Sequence, residues 1–183
     1  MKSLIFIATV VGLSIFLQSC KKAPNNFLLT DDYLPLEVGN YWQLDFTEKE
    51  EIIGTKTING KDYFMLKYQN DTSYYREDNN KIFTKENETD EAIKFDFLAK
   101  VHDTWKYGLY NVTLVSKTDS IIINNQKVYN CYHFYFDVPV MVDEEHSIWL
   151  APGIGFIQEE CGECLHQIRK LDKAKIGGQD IVF

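Results

Sequence analysis

Residues 52–69, Ile-Ile-Gly-Thr-Lys-Thr-Ile-Asn-Gly-Lys-Asp-Tyr-Phe-Met-Leu-Lys-Tyr-Gln, carry the clearest statement of fold class in the chain. The run Ile52 to Ile58 is rich in β-branched residues, which pack well on a pleated surface. Asn59-Gly60 then supplies two residues that tolerate positive φ, as the tight turn of a hairpin requires. The return run, Asp62 to Gln69, alternates and sets Phe64, Leu66 and Tyr68 on one face. The stretch therefore predicts an antiparallel hairpin with one buried face.

The same grammar repeats in both directions. Toward the N-terminus, Asn40 to Phe46 alternates, with Trp42, Leu44 and Phe46 on one side, and Tyr33 to Gly39 reads as a lead-in because Pro35 disfavours a central strand. Toward the C-terminus, Asn70-Asp71 turns the chain, and Ser73 to Glu77 pairs with Lys81 to Lys85 across Asp78-Asn79-Asn80. Val112 to Ile123 and Lys127 to Asp137 flank Asn124-Asn125. Glu145 to Leu150 is broken by Ala151-Pro152-Gly153, and Ile154 to Cys161 and Cys164 to Leu171 form a last hairpin across Gly162-Glu163. Glu91 to Trp105 is ambiguous. Ile93, Phe95 and Phe97 alternate as a strand, while Ile93, Phe97, Val101 and Trp105 recur every four residues as on a helix. The expectation is a strand through Phe97 and a loop over His102 to Thr104. About ten strands follow, with at most one short helix. The fold class is all-β, mainly an antiparallel meander closed as a sandwich, a curved sheet or a barrel. A single β domain is expected over residues 33–172, with a short C-terminal tail over 173–183 that frays unless Ile181, Val182 and Phe183 dock.

The first twenty residues have a separate purpose. Lys2 precedes an apolar run from Leu4 to Leu17, too short to span a bilayer as a helix, which needs about 20 apolar residues. A charged head and an apolar middle are the marks of a signal peptide, here residues 1–19. The run closes on Leu17-Gln18-Ser19-Cys20, which resembles the lipobox of bacterial lipoproteins, in which the Cys thiol is acylated. Cys20 is thus the expected lipidation site and residues 20–32 a tether. Each buried lipid CH₂ contributes ~0.8 kcal/mol, so two or three acyl chains hold a protein on a membrane. Twelve extended residues reach roughly 40 Å at most. The formal charge is −8, and no basic block follows Lys21-Lys22, which argues against a nucleic-acid partner.

Few motifs carry chemistry. There is no H-E-x-x-H, no G-x-S-x-G and no phosphate-binding G-x-x-x-x-G-K-[ST], so no catalytic residue and no cofactor is assigned. Cys161-Gly162-Glu163-Cys164 admits several uses. A disulfide across the hairpin tip is the simplest, and it stabilises modestly because so short a loop removes little unfolded-state entropy. A zinc site from Cys161, Cys164 and His166, with Cys131 or His133 as fourth ligand, suits N/S coordination but lacks a second ligand pair at the usual spacing. A redox pair needs its first Cys at a helix N-terminus, whereas both flanks read as strand. Haem attachment needs His where Leu165 stands. Cys131 is left over, aligned by alternation with Tyr129, His133 and Tyr135; sequence alone leaves its pairing open. Trp149, before the Pro-Gly corner, and Trp105 are candidate ligand contacts, although a Trp at a strand corner more often covers a core. Gly155, in the strand after that corner, predicts a bulge or a close backbone approach.

The order Leu34-Pro35-Leu36-x-Val38-Gly39-Asn40-x-Trp42, Tyr74-Tyr75-Arg76, Asp103-Thr104-Trp105 and Trp149-x-Ala151-Pro152-Gly153-x-Gly155 resembles a family of uncharacterised lipoproteins of Bacteroidota-type bacteria. The resemblance spans most of the mature chain and implies an antiparallel β domain on an outer-membrane lipoprotein, with no activity to transfer. The Cys161-x-x-Cys164 pair lies outside that pattern. Lys21-Lys22-Ala23-Pro24 replaces the acidic cluster associated with surface display, so the periplasmic face is expected. The functional expectation is an envelope interaction or structural module with a protein partner. The alternative is a carrier of a lipid or other apolar ligand in a curved sheet.

Overall fold

The computed structural model describes residues 31–85, 90–139, 141, 144–162 and 167–183. Among them are thirteen strands and no helix. The first run comprises β1 (Tyr41–Leu44), β2 (Glu50–Ile58), β3 (Lys61–Tyr68), β4 (Asp71–Asp78), β5 (Lys81–Lys85) and β6 (Ala92–Asp96). The second comprises β7 (Thr104–Tyr107), β8 (Tyr110–Ile123), β9 (Gln126–Asp137), β10 (His146–Ala151), β11 (Gly155–Cys161), β12 (Gln167–Ile176) and β13 (Gln179–Val182). The strands follow the order β6-β5-β4-β3-β2-β1-β12-β11-β10-β9-β8-β7, with β13 added to β12. Two meanders are thus joined where β1 pairs with β12, Trp42 opposite Ala174. Every pairing is antiparallel, and the fold is all-β.

The two free edges, β6 and β7, approach each other without a backbone ladder. Side chains bridge the seam: Trp105 Nε1 of β7 donates to the Ile93 carbonyl of β6 at 2.9 Å, and the hydroxyls of Tyr107 on β7 and Thr84 on β5 meet at 3.0 Å. The sheet is therefore nearly closed and barrel-like. Of the closures expected from sequence, the barrel is the one realised, and the helical reading of 91–105 gives way to β6, a loop and β7.

The turn chemistry explains the hairpins. Asn59, Asn79, Asn80, Asn124 and Asn125 all have positive φ, a conformation that Asn tolerates better than most residues. Gln69 also has positive φ, and the turn there falls on 69–70, one residue earlier than expected. Gly155 has φ +95, and a Cβ on it would lie 2.6 Å from Trp42 Nε1, so the close approach read from the sequence is real. Inside the barrel, Trp42, Ile52, Phe95, Leu114, Phe134, Phe136, Leu150 and Leu171 are all buried. Phe95 is central, its ring 4.9 Å from that of Phe134 and 6.3 Å from that of Phe156. Fully burying each such side chain contributes about 1.5–3 kcal/mol.

Three sequence expectations are corrected. Phe46 does not share the core face of Trp42: β1 ends at Leu44, and Phe46 stands in a turn with φ +61, 92% exposed. Cys131 does not share a face with Tyr129. Asn130, at φ +58, breaks the alternation, leaving Tyr129 exposed and Cys131 buried. Residues 173–183 are not a frayed tail. β12 runs on to Ile176, Gly177-Gly178 turns the chain at positive φ, and β13 pairs back from Gln179 to Val182. The domain therefore includes them.

Because neighbours are antiparallel, the connections alternate between the barrel's two ends. The chain enters through residues 31–40 at one end, here the base, together with the β6–β7 loop and the β10–β11 corner. Tyr33 packs on Phe97 and Tyr132, and the Gly153 amide donates to the Asp32 carbonyl. At the other end, the mouth, β5, β7, β9 and β11 finish. The long β8–β9 hairpin departs from this plan. Register shifts between Leu114 and Ile121 bend it, and its outer half lies over the outside of the wall, where Asn124 Nδ2 donates to the Phe183 carbonyl and Lys170 Nζ to the Ile122 carbonyl.

Candidate functional site

The mouth holds a cleft of about 570 Å³. Its floor includes Thr84 and Tyr107, whose hydroxyls are hydrogen-bonded to each other, and Ala92. Tyr110, Leu109 and Met141 form an apolar side, and Asp90 and Glu144 bring carboxylates. Leu109 is 71% exposed at the tip of the β7–β8 turn. Such a recess, mostly apolar with a few convergent polar groups, is what a small ligand or a partner's side chain requires.

Beneath this floor lies a half-buried polar layer. The Lys94 ammonium donates to the Tyr75 hydroxyl at 2.9 Å and lies 5.4 to 6.0 Å from the ring centres of Tyr75, Phe95 and Tyr107. Aromatic faces attract a cation, more strongly when water is excluded. Lys94 reaches this position through a bulge: Ile82 pairs with Phe95 and Phe83 with Ile93, leaving Lys94 as the extra residue. Burial raises the pKa of Glu50, with Lys94 pulling it partly back. Burial also raises the Tyr75 pKa. Arg169 pairs with Glu159 at 2.8 Å, and its buried Nε has no hydrogen-bond partner among the described residues.

A second cluster lies on the outside of the wall, under the folded β8–β9 hairpin. His133 Nε2 and Ser147 Oγ are 3.1 Å apart, and His133 Nδ1 and Asp119 Oδ2 are 3.4 Å apart. The residue types are those of a hydrolase triad, but the setting is not. Ser147 is buried near the start of β10, paired with Tyr135 on one side and Glu160 on the other, so it sits within a sheet ladder and not on a turn that presents a nucleophile. The cluster works as a latch. The Trp149 ring stacks on His133 at 4.0 Å, and its Nε1 donates to Asp119 at 2.9 Å, tying the hairpin to the wall. Burial lowers the His133 pKa, against the pull of Asp119.

The candidate ligand contacts read from sequence are thereby reassigned. Trp149 is buried with its ring stacked and its N–H donated, and Trp105 closes the β6–β7 seam; neither lines the cleft. Tyr107, Tyr110 and Leu109 do, and sequence gave no sign of it, since a Tyr-x-x-Tyr turn has no signature of its own. Cys161 is disulfide-bonded, and in that state its sulfur is not the thiolate a zinc site needs. Cys131 is free and buried, and burial pushes its pKa up to about 12, far from a reactive thiol. Cys20, Cys164 and His166 lie outside the described residues. Among the described residues, no group of three or more His, Cys, Asp or Glu is placed to hold a metal. The chain matches no protein-family model, no curated protein and no solved structure.

Proposed function

We propose that this chain is a lipid-anchored bacterial envelope protein, attached through Cys20, whose barrel is an interaction module that recognises a partner at its mouth. The observation that carries the reading is the division of the barrel. Its interior is filled by Trp42, Phe95, Phe134 and Phe136, while the cleft opens at the end away from the chain's entry. A filled interior suits a scaffold better than a carrier that encloses its cargo. The tether joins the domain at the base, which leaves the mouth free to meet partners. The lipobox-like Leu17 to Cys20 and the family resemblance support an outer-membrane lipoprotein, and Lys21-Lys22 favours the periplasmic face.

The test is in-cell photocrosslinking from a benzophenone amino acid at Leu109, in the mouth, and at Ile53, exposed on the barrel wall. Discrete crosslinked species from position 109 and none from 53 are expected. Equal crosslinking, or none from either position, would sink the reading. The carrier alternative rests on the apolar side of the cleft, Leu109, Met141 and Val138. Extra mass in native mass spectra of residues 24–183, lost on denaturation, would favour it.

A further inference from the structure

We propose that the base of the barrel is a membrane-contact surface, in which Leu98 and Val101 on the β6–β7 loop rest in the headgroup region of a zwitterionic bilayer. The proposal rests on the anchored reading above and says how the domain sits once anchored.

The first observation is exposure. Leu98 is 61% exposed, Val101 42% and Val38 53%, and all three lie on base connections. Single exposed aliphatics are ordinary. Leu98 and Val101 stand on one loop at the end where the chain leaves the domain, since Phe97, next to Leu98, packs on Tyr33 at 5.5 Å, while Val38 lies across the base, beside β2 and the β12–β13 turn.

The second observation is rigidity. The Leu98 and Ala99 amides donate to Asp96 Oδ1 at 2.9 and 3.2 Å, and the Lys100 amide to Asp103 Oδ2 at 2.8 Å. The Asp103 amide donates to the Lys100 carbonyl and the His102 amide to the Leu114 carbonyl. The loop therefore holds its two aliphatic tips outward without further ordering cost, the condition for a surface that docks rather than one that must fold first. Both loop carboxylates are engaged by backbone amides. Lys100, exposed between the tips, has the long stem that lets an ammonium reach the phosphate level while the aliphatics go deeper. Exposed Asp31 and Glu37 share this end, so the contact is apolar and does not depend on anionic lipid.

The third observation is the tether. It ends at the base, and once the acyl chains are inserted it confines this face within roughly 40 Å of the bilayer, where even weak apolar contacts become intramolecular.

The experiment uses the full-length, lipidated protein in phosphatidylcholine–phosphatidylethanolamine vesicles with brominated acyl chains, which quench tryptophan at membrane depth. Leu98→Trp reports on the base and Phe46→Trp on the mouth, each read as the difference from wild type. Emission from Leu98→Trp is expected to fall about twofold, emission from Phe46→Trp to stay unchanged, and Val101→Asp to relieve the quenching. Flotation with acyl mass on Cys20 but no quenching at position 98, or equal quenching at 46, would overturn the docking surface and leave the anchor standing. Absence of acyl mass and of flotation would overturn the anchor, and the docking surface with it.

Discussion

The two ends of this barrel are built on opposite principles. Toward the base the interior is aromatic and dry: Phe95, Phe97, Tyr132, Phe134 and Tyr33 form a continuous chain of ring contacts, and Trp42 is seated against Gly155. Toward the mouth the barrel wall carries Glu50, Lys94, Tyr75, Glu159 and Arg169 inward. A small barrel gains stability by filling its interior with apolar side chains, and each buried charge works against that. The base therefore holds the fold together, while the mouth gives up stability for a polar, partly open recess. Substitutions at the two ends should differ in size and in kind.

The largest effect belongs to the base. Phe134→Ala removes a fully buried ring that meets Phe95, Phe97, Trp105 and Tyr132. Its neighbours come from three different strands and a loop, so the void collapses poorly, and a loss of about 3–5 kcal/mol is expected in urea unfolding. A loss under about 1 kcal/mol would mean that the interior is already loosely packed there, and would reopen the carrier reading.

The mouth should respond through charge instead. Lys94→Met leaves Glu50 largely buried beside one fewer cation. At pH 7 the cost expected is about 2 kcal/mol, less than for a hydrogen-bonded buried pair because no direct bond joins the two. Adding Glu50→Gln removes the stranded carboxylate, so the double variant should recover part of the loss, the remainder belonging to the Tyr75 hydroxyl that Lys94 no longer bonds. The double-mutant cycle measures this, and strict additivity would break the idea that these residues form one electrostatic layer.

That contrast also marks what could be read from the sequence. The hairpins were legible because Asn59-Gly60, Asn79-Asn80 and Asn124-Asn125 each force a reversal through backbone conformation, a local property. The final Gly177-Gly178 carries the same signal, and only the expectation of a short tail hid β13. The polar layer was not legible. Lys94 follows Ile93 and precedes Phe95, and alternation assigns it to the outside; only the unpaired residue opposite Ile82-Phe83 turns it inward. Glu50 lies far from Lys94 in sequence, and their proximity exists only because β6 and β2 curve into one barrel. The latch was hidden for the same reason, since Asp119 reaches His133 and Trp149 through the irregular register of β8. Local turn chemistry survives in a single sequence, whereas bulges and closure do not.

The smallest effect expected is on the outer latch, and it has a sign. Burial holds the His133 pKa below its ordinary value near 6.5, so the folded chain binds this proton less readily than the unfolded chain does. The stability from keeping the ring neutral is fully present above pH 6.5 and is lost progressively as pH falls toward the lowered folded value. Asp119 and Glu160 favour the charged ring and soften the loss; Ser147 and the Trp149 ring face it without charge. His133→Gln keeps a hydrogen-bonding group near Ser147 and cannot titrate. Its unfolding midpoint should therefore gain on that of wild type between pH 7 and pH 5, with exchange of the Cys131 amide as a local readout of the hairpin. If Asp119 outweighed burial, the folded pKa would be raised instead, and the wild type would gain on the variant over the same interval. The direction of that single difference decides whether the hairpin is held to the wall by packing on a neutral ring or by an ion pair.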